Sequence, residues 1–442
     1  MNTKVVTRFA PSPTGHMHAG SYRTAFFAYL YARKHGGKFI LRIEDTDKER
    51  SKQEYTDEIF KVFETIGIQY DEKYIQSEHV ARHKECLQQM IDNGTAYVSR
   101  EEAKDGSGVM KDVIRFKNPN KVVVFDDLIR GPIATDTTDL GDFVIAKNIE
   151  EPLFHLAVVV DDHDEGVNHV IRAEEHIANT PRQILIHEAL GFDIPRYAHL
   201  PLVLAPDKSK MSKRKGAVPV VEYLERGYLP EALLNAICLC GWNPGTEQEL
   251  FTRTELEQVF DLDKLQKAGA VFNEEKLNWF NREYIKKLSA EEQREGIKKF
   301  IPAELGLGEA LLEKLAPIII ERINYFGEVK TMAEAGEFDY YVRRPEVDLE
   351  KVSWKGEGIA AAKTHLGEAL KVMREISLSD WKAERIKEAL WPYAESAGRG
   401  SVLWPIRFTL SGKDKSPDPF VLADILGKDE TIARIESLCE KI

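Results

Sequence analysis

The spacing of apolar and polar residues near the start of the chain predicts a strand, a turn, a helix and a second strand. Val5 to Phe9 is rich in β-branched and apolar residues, and the breaker cluster Pro11 to Gly15 ends it. Apolar residues recur at helical spacing from about Gly20 to His35, and Lys38 to Ile43 again has strand composition. This order is typical of a βαβ unit, in which parallel strands place bound ligands at their carboxyl ends.

The pattern continues with a second helix and then changes character. Ser51 and Glu54 have the spacing of a capping box and predict a helix that ends near Gly67. Residues from about 96 to 150 contain β-rich runs between turns, which we interpret as an insertion in the parallel sheet.

Strand signals return after this insertion. We expect strands at Leu156 to Val160 and at Val170–Ile171, followed by a helix from about Thr180 to Leu190 that Pro181 can start. From Pro230 onward the chain has helical spacing. The sequence therefore predicts an α/β region followed by helical domains.

Composition narrows the class of protein. The 442 residues, 43% of them hydrophobic, are enough for about three domains. The start of the chain lacks the apolar core of a signal peptide and no window of eighteen apolar residues follows, so we expect no membrane insertion. Four cysteines without paired spacing indicate a reducing compartment, hence the cytoplasm. A net charge of −12 means that any contact with nucleic acid must use local basic patches.

The turn before the first helix has the composition of an anion site. Helix N-termini attract anions through unpaired N–H groups, Ala19 and Gly20 allow close approach, and His18 can donate to a phosphate. The alternative is a capped loop whose histidines, His16 and His18, are simply exposed. The position between a strand and a helix favours the anion site.

A second candidate is a basic loop. Residues 208–216 carry five cations in an acidic chain, namely Lys208, Lys210, Lys213, Arg214 and Lys215. Such a loop suits a pyrophosphate whose charge is redistributed during reaction, although a solvated basic loop is the commoner fate of such a run. Its combination with the histidine turn favours the phosphate site.

Charged residues at predicted strand ends form a third candidate. Glu44 follows the second strand and can hold an ammonium group or Mg²⁺. Arg8 and Arg172 end other strands and can bind a carboxylate between them, whereas ion pairs with Glu174 or Asp161 are the structural alternative. His163 and Asp164 lack a third metal ligand at suitable spacing.

These segments resemble the class I aminoacyl-tRNA synthetases, in which an H-x-G-H and a K-M-S-K-S element flank ATP. The corresponding segments are His18-Ala19-Gly20-Ser21 and Lys210-Met211-Ser212-Lys213-Arg214. Within this class, the sequence is similar to the bacterial glutamyl-tRNA synthetases. The similarity is carried by R-F-A-P-S-P-T-G from Arg8, R-I-E-D-T-D from Arg42, V-I-R-A-E-E-H from Val170, N-T-P-R-Q from Asn179 and L-S-G-K-D-K-S-P from Leu410.

The resemblance implies a role for individual residues. It implies catalytic roles for His18, Lys210 and Lys213. It implies an ATP site formed by Ser12, Thr14, His18, Gly20, Glu175, Val203, Lys210, Met211, Ser212, Lys213 and Arg214. It implies a glutamate site formed by Arg8, Ala10, Ser12, Glu44, Phe154, Val158 and Arg172, with Glu44 on the ammonium group and the arginines on the carboxylates.

The same resemblance implies an architecture. A Rossmann-type parallel-sheet catalytic domain with an α+β insertion is expected to precede all-α C-terminal domains. The expected parts are a catalytic domain split into 1–70 and 156–205, an acceptor-end-binding insertion at 71–155, a stem-contact domain with the K-M-S-K-R loop at 206–285, and helical anticodon-binding domains at 286–344 and 345–442.

The implied cofactors and partners are ATP, Mg²⁺, L-glutamate and tRNA(Glu), the charging of tRNA(Gln) in addition is left open by the sequence, and the chain is expected to be a monomer. Two departures from the family matter. Phe154 stands where a tyrosine is common, and Ser99 and Glu101 occupy the region in which some relatives carry a cysteine-rich zinc knuckle, so no zinc is expected.

Four rival functions differ from this one in features that the sequence shows. A glutaminyl-tRNA synthetase has a different entry motif and β-barrel anticodon domains, and a truncated tRNA-modifying relative lacks the C-terminal half. A small-molecule nucleotidyltransferase would not need that half either. A catalytically idle RNA-binding paralogue would be expected to have lost the motif residues. Trp391, Trp404 and Arg399 could stack on RNA bases, but aromatic residues in helical domains are usually core.

Overall fold

A seven-stranded sheet organises the first part of the chain, in the order β3-β2-β1-β9-β10-β6-β7. A computed structural model describes residues 4–102, 108–209, 211 and 218–442. Its strands are β1 Val6–Phe9, β2 Lys38–Ile43, β3 Glu72–Ile75, β4 Ala96–Glu102, β5 Met110–Phe116, β6 Val122–Asp127, β7 Gly131–Asp136, β8 Phe143–Ala146, β9 His169–Ala173, β10 Arg196–Leu200, β11 Val203–Leu204 and β12 Ala270–Val271.

Two compact units make up the chain, residues 1–284 and 285–442. The helices up to the division are α1 Ala19–Lys34, α2 Gln53–Ile66, α3 Val80–Asp92, α4 Phe154–Asp164, α5 Thr180–Leu190, α6 Val220–Glu225, α7 Pro230–Leu239, α8 Arg253–Val259 and α9 Glu274–Lys287. Those beyond it are α10 Ala290–Lys298, α11 Glu309–Ile320, α12 Glu328–Glu334, α13 Asp339–Val342, α14 Ile359–Glu375, α15 Ala383–Ala397, α16 Arg399–Ser411, α17 Pro419–Leu426 and α18 Lys428–Lys441.

The predicted βαβ unit is present. β1 pairs in parallel with β2, with Val6 opposite Lys38 and Phe9 opposite Leu41, and α1 crosses between them. β9 pairs in parallel with both β1 and β10, and β10 pairs in parallel with β6, so that six adjacent strands run in one direction. Their apolar side chains are buried under helices, which is the arrangement of a Rossmann-type sheet. The predicted fold class, including the helical C-terminal part, is confirmed.

One predicted strand is wrong. Leu156 to Val160 lies inside the helix α4, and all five side chains are buried. A helix that is buried all round shows no polar face, so its sequence cannot be distinguished by periodicity from that of a buried strand. Asp161 and Asp162 therefore lie near the end of a helix rather than at the end of a strand.

The predicted capping box at Ser51 is also wrong. α2 begins after Lys52, which makes no side-chain cap, and the Ser51 hydroxyl is buried without a hydrogen-bond partner among the described residues. Lys52 instead donates its backbone N–H to the carbonyl of Pro13 at 3.0 Å. The start of α2 is therefore set by a contact with the distant Pro11–Gly15 turn.

The segment predicted as an insertion is divided between two sheets. β4, β5 and β8 form an antiparallel sheet of three strands, as the α+β character of the insertion implies. β3 and the hairpin β6–β7, which also lie within residues 71–155, join the main sheet. The domain boundaries within this region stay predictions.

The second unit is helical throughout the elements that the structure gives it, residues 285–442. Its two candidate base-stacking tryptophans are partly buried and already covered by arginines. Arg399 lies 4.7 Å from the centre of the Trp391 ring, and Arg407 lies 4.7 Å from that of Trp404. No helix within the described ranges is both long and apolar enough to span a bilayer.

Candidate active site

A cleft of about 390 Å³ lies at the carboxyl ends of β1 and β9, beside the start of α1. All thirteen described residues that the sequence assigns to the ATP and glutamate sites line it: Arg8, Ala10, Ser12, Thr14, His18, Gly20, Glu44, Phe154, Val158, Arg172, Glu175, Val203 and Met211. The remaining assigned residues, Lys210, Ser212, Lys213 and Arg214, lie outside the described residues. The roles of the individual residues stay predictions.

The turn after β1 is held by the neighbouring backbone. Glu44 donates its backbone N–H to the carbonyl of Pro11 at 2.9 Å, which places the end of β2 against this turn. His18 is the N-cap of α1, and its Nδ1 accepts from the backbone N–H of Gly20 at 3.1 Å. In the neutral ring this leaves the proton on Nε2, so that His18 can donate to an anion at the helix N-terminus.

Gly20 allows the His18 ring to lie flat against the backbone. A Cβ at this position would lie 3.0 Å from Cε1 of His18 and 3.4 Å from Cβ of Val203. We therefore expect Gly20→Ala to displace the imidazole and to raise the KM for ATP on the order of tenfold, with little change in the KM for glutamate. Steady-state aminoacylation at varied ATP measures this, and an unchanged KM for ATP would contradict it.

The segments that flank the basic loop lie against the same turn. Met211 is buried and donates its backbone N–H to the carbonyl of Val203 at 3.1 Å. On the other side of the loop, Pro219 forms a β-bridge with His18, and Val220 donates to the carbonyl of Met17 at 3.0 Å. Met211 of the basic loop therefore bonds to Val203, which lies beside Gly20, and the chain that follows the loop contacts the histidine turn directly.

The two predicted arginines differ in their partners. Arg8 donates to Asp162 at 3.1 Å, so its charge is already matched within the protein. Arg172 is buried, and no carboxylate among the described residues lies within ion-pairing distance of it. Burial lowers the pKa of Arg172 to about 10. A buried cation of this kind is stabilised by an anion that enters the cleft.

The ion pairs expected as the structural alternative, with Glu174 or Asp161, are not formed among the described residues, although Arg8 pairs with the neighbouring Asp162. Glu174 pairs with Arg130, and Asp161 pairs with His83 at 2.5 Å and accepts from Gln76 at 2.7 Å. Neither carboxylate is paired with Arg8 or Arg172 in the described part of the chain.

Arg42 is the centre of a buried ion cluster that sequence reasoning missed. Its side chain is fully buried and lies 2.8 Å from Asp162, 2.9 Å from Glu165 and 3.3 Å from Glu44. Burial raises the pKa of Glu44. Burial alone would raise the pKa of Asp162, but the cations Arg8 and Arg42 hold that pKa below its usual range. The position of Arg42 two residues before Glu44, on the same face of β2, is the signal that could have found it.

Glu165 is the member of this cluster that titrates near neutral pH. Burial raises its pKa from 4.5 to about 7, and its Oε1 has no hydrogen-bond partner among the described residues. Because the folded-state pKa lies above the unfolded value, loss of the proton disfavours the fold. Its contribution to stability is therefore lost as the pH rises through the interval from 4.5 to about 7.

Glu165→Gln removes this titration and retains an oxygen for Arg42. We expect the stability of the variant relative to the natural protein to increase on the order of 2–3 kcal/mol between pH 5 and pH 8. Urea unfolding at both pH values measures the difference. The interpretation fails if the two proteins show parallel pH profiles.

The floor of the cleft is less polar. Phe154 begins α4 and is 37% exposed, Val158 lies one helical turn later and is buried, and both line the cleft. His176 also lines it, although the sequence analysis did not assign it a role. Burial lowers the pKa of His176 to about 4, so the ring is neutral at pH 7.

No three His, Cys, Asp or Glu side chains in the described ranges are grouped so that they could hold a metal ion. The predicted lack of zinc stays a prediction.

Comparisons with known proteins agree with this geometry. The family described as "tRNA synthetases class I (E and Q), catalytic domain" matches residues 4–105 and 99–279, and the one described as "Anticodon binding domain" matches residues 274–439. The glutamate–tRNA ligase of Nitrosospira multiformis is 37% identical over 98% of both chains. That of Nitratidesulfovibrio vulgaris is 37% identical over 98% of this chain and 99% of its own.

A solved structure is similar over the same length. The glutamate tRNA ligase of Elizabethkingia meningosepticum, crystallised in complex with its amino acid, superimposes with a TM-score of 0.87 at 32% identity over 99% of each chain. Both the catalytic part and the helical part are thus shared with these enzymes. The chain therefore belongs to the class I aminoacyl-tRNA synthetases and, among them, to the glutamate–tRNA ligase family.

Proposed function

We propose that this protein activates L-glutamate with ATP and transfers it to the 3′-terminal adenosine of tRNA(Glu). The observation that carries the proposal is the buried guanidinium of Arg172, which faces the cleft without a carboxylate partner in the described chain. Glu44 lines the same cleft and lies 3.3 Å from Arg42. A ligand with an ammonium group and a carboxylated side chain matches both charges.

The charge pattern favours glutamate over glutamine. A neutral amide could hydrogen-bond to Arg172 but would leave its buried charge unbalanced, whereas a carboxylate balances it. Arg8 adds positive charge beside the cleft but is already paired with Asp162. The discrimination is therefore assigned mainly to Arg172.

The reaction requires alignment and charge stabilisation. A carboxylate oxygen of glutamate attacks the α-phosphorus of ATP, the bond to the β-phosphate oxygen breaks, and pyrophosphate leaves. A ribose hydroxyl of the terminal adenosine then attacks the carbonyl carbon, its proton is lost, and AMP departs. His18 at the N-terminus of α1 is placed to donate to phosphate oxygens, and the resemblance assigns the pyrophosphate to Lys210 and Lys213.

Mg²⁺ that enters with ATP would supply neutralisation of the charge that develops on the phosphate oxygens. The protein's own contribution is to hold both substrates in line, which converts a bimolecular encounter into a reaction within one complex. Thr14, Gly20 and Val203 line the part of the cleft next to His18 and are assigned to the nucleotide.

The partners follow from the domain order. We assign the insertion at 71–155 to the tRNA acceptor end, residues 206–285 to the stem, and the helical domains at 286–344 and 345–442 to the anticodon. The proposed substrate is tRNA(Glu), with tRNA(Gln) as a second substrate to be tested. A monomer in the cytoplasm is part of the proposal, and all four cysteines are free thiols, as a reducing compartment requires.

The decisive test is pyrophosphate exchange with each amino acid, with and without each purified tRNA. Glutamate is expected to support exchange, and tRNA(Glu) is expected to accept it. Exchange with glutamine or methionine but not with glutamate would overturn the proposed specificity. Aminoacylation of tRNA(Gln) in the same series decides whether the second substrate is used.

A further inference from the structure

Arg172 is held in place by uncharged groups. Its Nε donates to Nε2 of His199 at 3.2 Å, and its Nη2 donates to the Thr180 hydroxyl at 2.7 Å. Within the described ranges Nη1 makes no hydrogen bond to the protein, and no carboxylate pairs with the guanidinium. The guanidinium is thus fixed along one edge, and its other edge is available to a ligand in the cleft.

His199 is held in turn by Asp127, seventy-two positions away in the chain. Nδ1 of His199 lies 2.6 Å from Oδ2 of Asp127, and both side chains are fully buried. Asp127 ends β6, in the hairpin β6–β7, and it also accepts from the backbone N–H groups of Ile129, Arg130 and His199. The contact therefore connects the turn of this hairpin to β10 and, through the imidazole, to Arg172 on β9.

The hydrogen-bond chemistry permits one state of His199. An arginine Nε–H can only donate, so Nε2 of His199 must carry its lone pair toward Arg172. Burial alone would raise the pKa of Asp127, but the imidazole and the backbone donors hold that pKa below its usual range. The carboxylate is therefore ionised and can only accept hydrogen bonds. Nδ1 must then carry the proton, and the ring is neutral.

The surroundings of the imidazole agree with this state. Burial lowers the pKa of His199, and the cations that face it, Arg172 and Arg130, act in the same direction. Asp127 opposes them, and the stacked ring of Tyr197 and the Thr180 hydroxyl complete the contacts. The neutral ring is therefore maintained across the physiological pH range.

We propose that Asp127 and His199 are positioning residues that fix the tautomer of His199 and thereby the orientation of Arg172 toward the substrate carboxylate. This inference rests on the proposed glutamate specificity and deepens it. Neither residue lines the cleft, so both act through Arg172. The hairpin β6–β7 thus contributes to amino-acid selection without touching the amino acid.

Three variants test the inference. Asp127→Asn replaces the ionised acceptor of the His199 Nδ1–H by a neutral amide, which can present either its oxygen or its nitrogen to the ring. The tautomer of His199 is then no longer fixed. His199→Leu removes the acceptor for Arg172, whereas His199→Gln can return a carbonyl oxygen near the former Nε2. We expect the KM for glutamate to rise on the order of ten- to a hundredfold in Asp127→Asn and His199→Leu, and only a few-fold in His199→Gln.

The kinetic pattern separates positioning from folding. Because Arg172 binds a part of glutamate that does not react, the KM for glutamate is expected to rise while kcat and the KM for ATP stay within about twofold of the natural values. A purely structural role would instead reduce the active fraction, lowering kcat at an unchanged KM. Asp71→Asn is the control for loss of a carboxylate charge, because Asp71 is also held by a backbone donor and a side-chain donor, Phe39 and Arg33, but is more exposed and lies outside the cleft.

The tautomer of His199 can also be determined directly in the natural protein, independently of the kinetic assays. In ¹⁵N-histidine NMR at pH 7, the His199 signals, identified by their loss in His199→Gln, are expected to show a protonated Nδ1 and an unprotonated Nε2. A protonated Nε2 would overturn the inference. The inference would also be overturned if the natural protein charges tRNA(Glu) and both Asp127→Asn and His199→Leu keep its KM for glutamate. If the natural protein does not use glutamate at all, the proposed function itself is refuted.

Discussion

Arg172→Leu is expected to raise the KM for glutamate by a factor on the order of a hundred to a thousand. The variant leaves the carboxylate of glutamate in a buried site without its cation, and breaking one side of such a pair costs about 3–5 kcal/mol. The rise should appear mainly in the KM, because the contact is made equally in the ground state and the transition state. Aminoacylation of tRNA(Glu) at varied glutamate is the measurement.

Two further variants serve as controls for Arg172→Leu. Arg172→Lys keeps the charge but loses the fixed pair of donors, so we expect an intermediate KM. Arg182→Leu removes a cation from α5, where Arg182 donates to the carbonyl of Ala178 and does not line the cleft. It should leave the KM unchanged. A natural KM in Arg172→Leu would assign the discrimination to another residue.

The meeting of the site residues could be predicted from sequence because the βαβ unit is a local pattern. Arg8 lies in β1 and Glu44 directly follows β2, and parallel strands bring such positions to one edge. His18 follows a breaker cluster and precedes a helical pattern, which places it at a helix N-terminus. The local sequence contains all the information that these placements need.

The helix α4 could not be predicted in the same way. Three of the five residues from Leu156 to Val160 are valines, which favour strands, and the segment is buried on every side. Tertiary burial overrides the weak intrinsic preference of such residues, and periodicity gives no sign of it. The helical geometry of α4 matters for function, because it places Phe154 and Val158 in the cleft and Asp162 beside Arg8.

Hydrogen bonds between residues that are distant in the chain could not be predicted from the sequence either. Asp127 and His199 belong to different strands, and no spacing rule relates a hairpin in an insertion to a strand that follows it. The start of α2 is a smaller case, since Lys52 is held by Pro13 rather than by a local cap. Contacts between segments that are distant in the chain decide these details.

The Arg42 cluster shows the same limit and provides the prediction with the largest effect on stability. Arg42 is completely buried among the carboxylates of Glu44, Asp162 and Glu165. Arg42→Met fills a similar volume but leaves these acids without their shared cation. We expect a loss of about 3–5 kcal/mol in the free energy of unfolding at pH 8, measured by urea denaturation. Arg50→Met, at an exposed pair with Asp47, should change stability by less than about 0.5 kcal/mol.

The pH dependence distinguishes lost charge compensation from lost packing. Arg42 lowers the pKa values of Glu44, Asp162 and Glu165, so in its absence burial raises all three pKa values and protonation of these groups favours the folded state. Stability in the variant is therefore expected to be regained as the pH falls from 8 toward 5, because the orphaned acids take up protons in the fold before they do so in the unfolded chain. A deficit of the same size at both pH values would show that Arg42 stabilises the protein through the shape of its side chain and not through its charge.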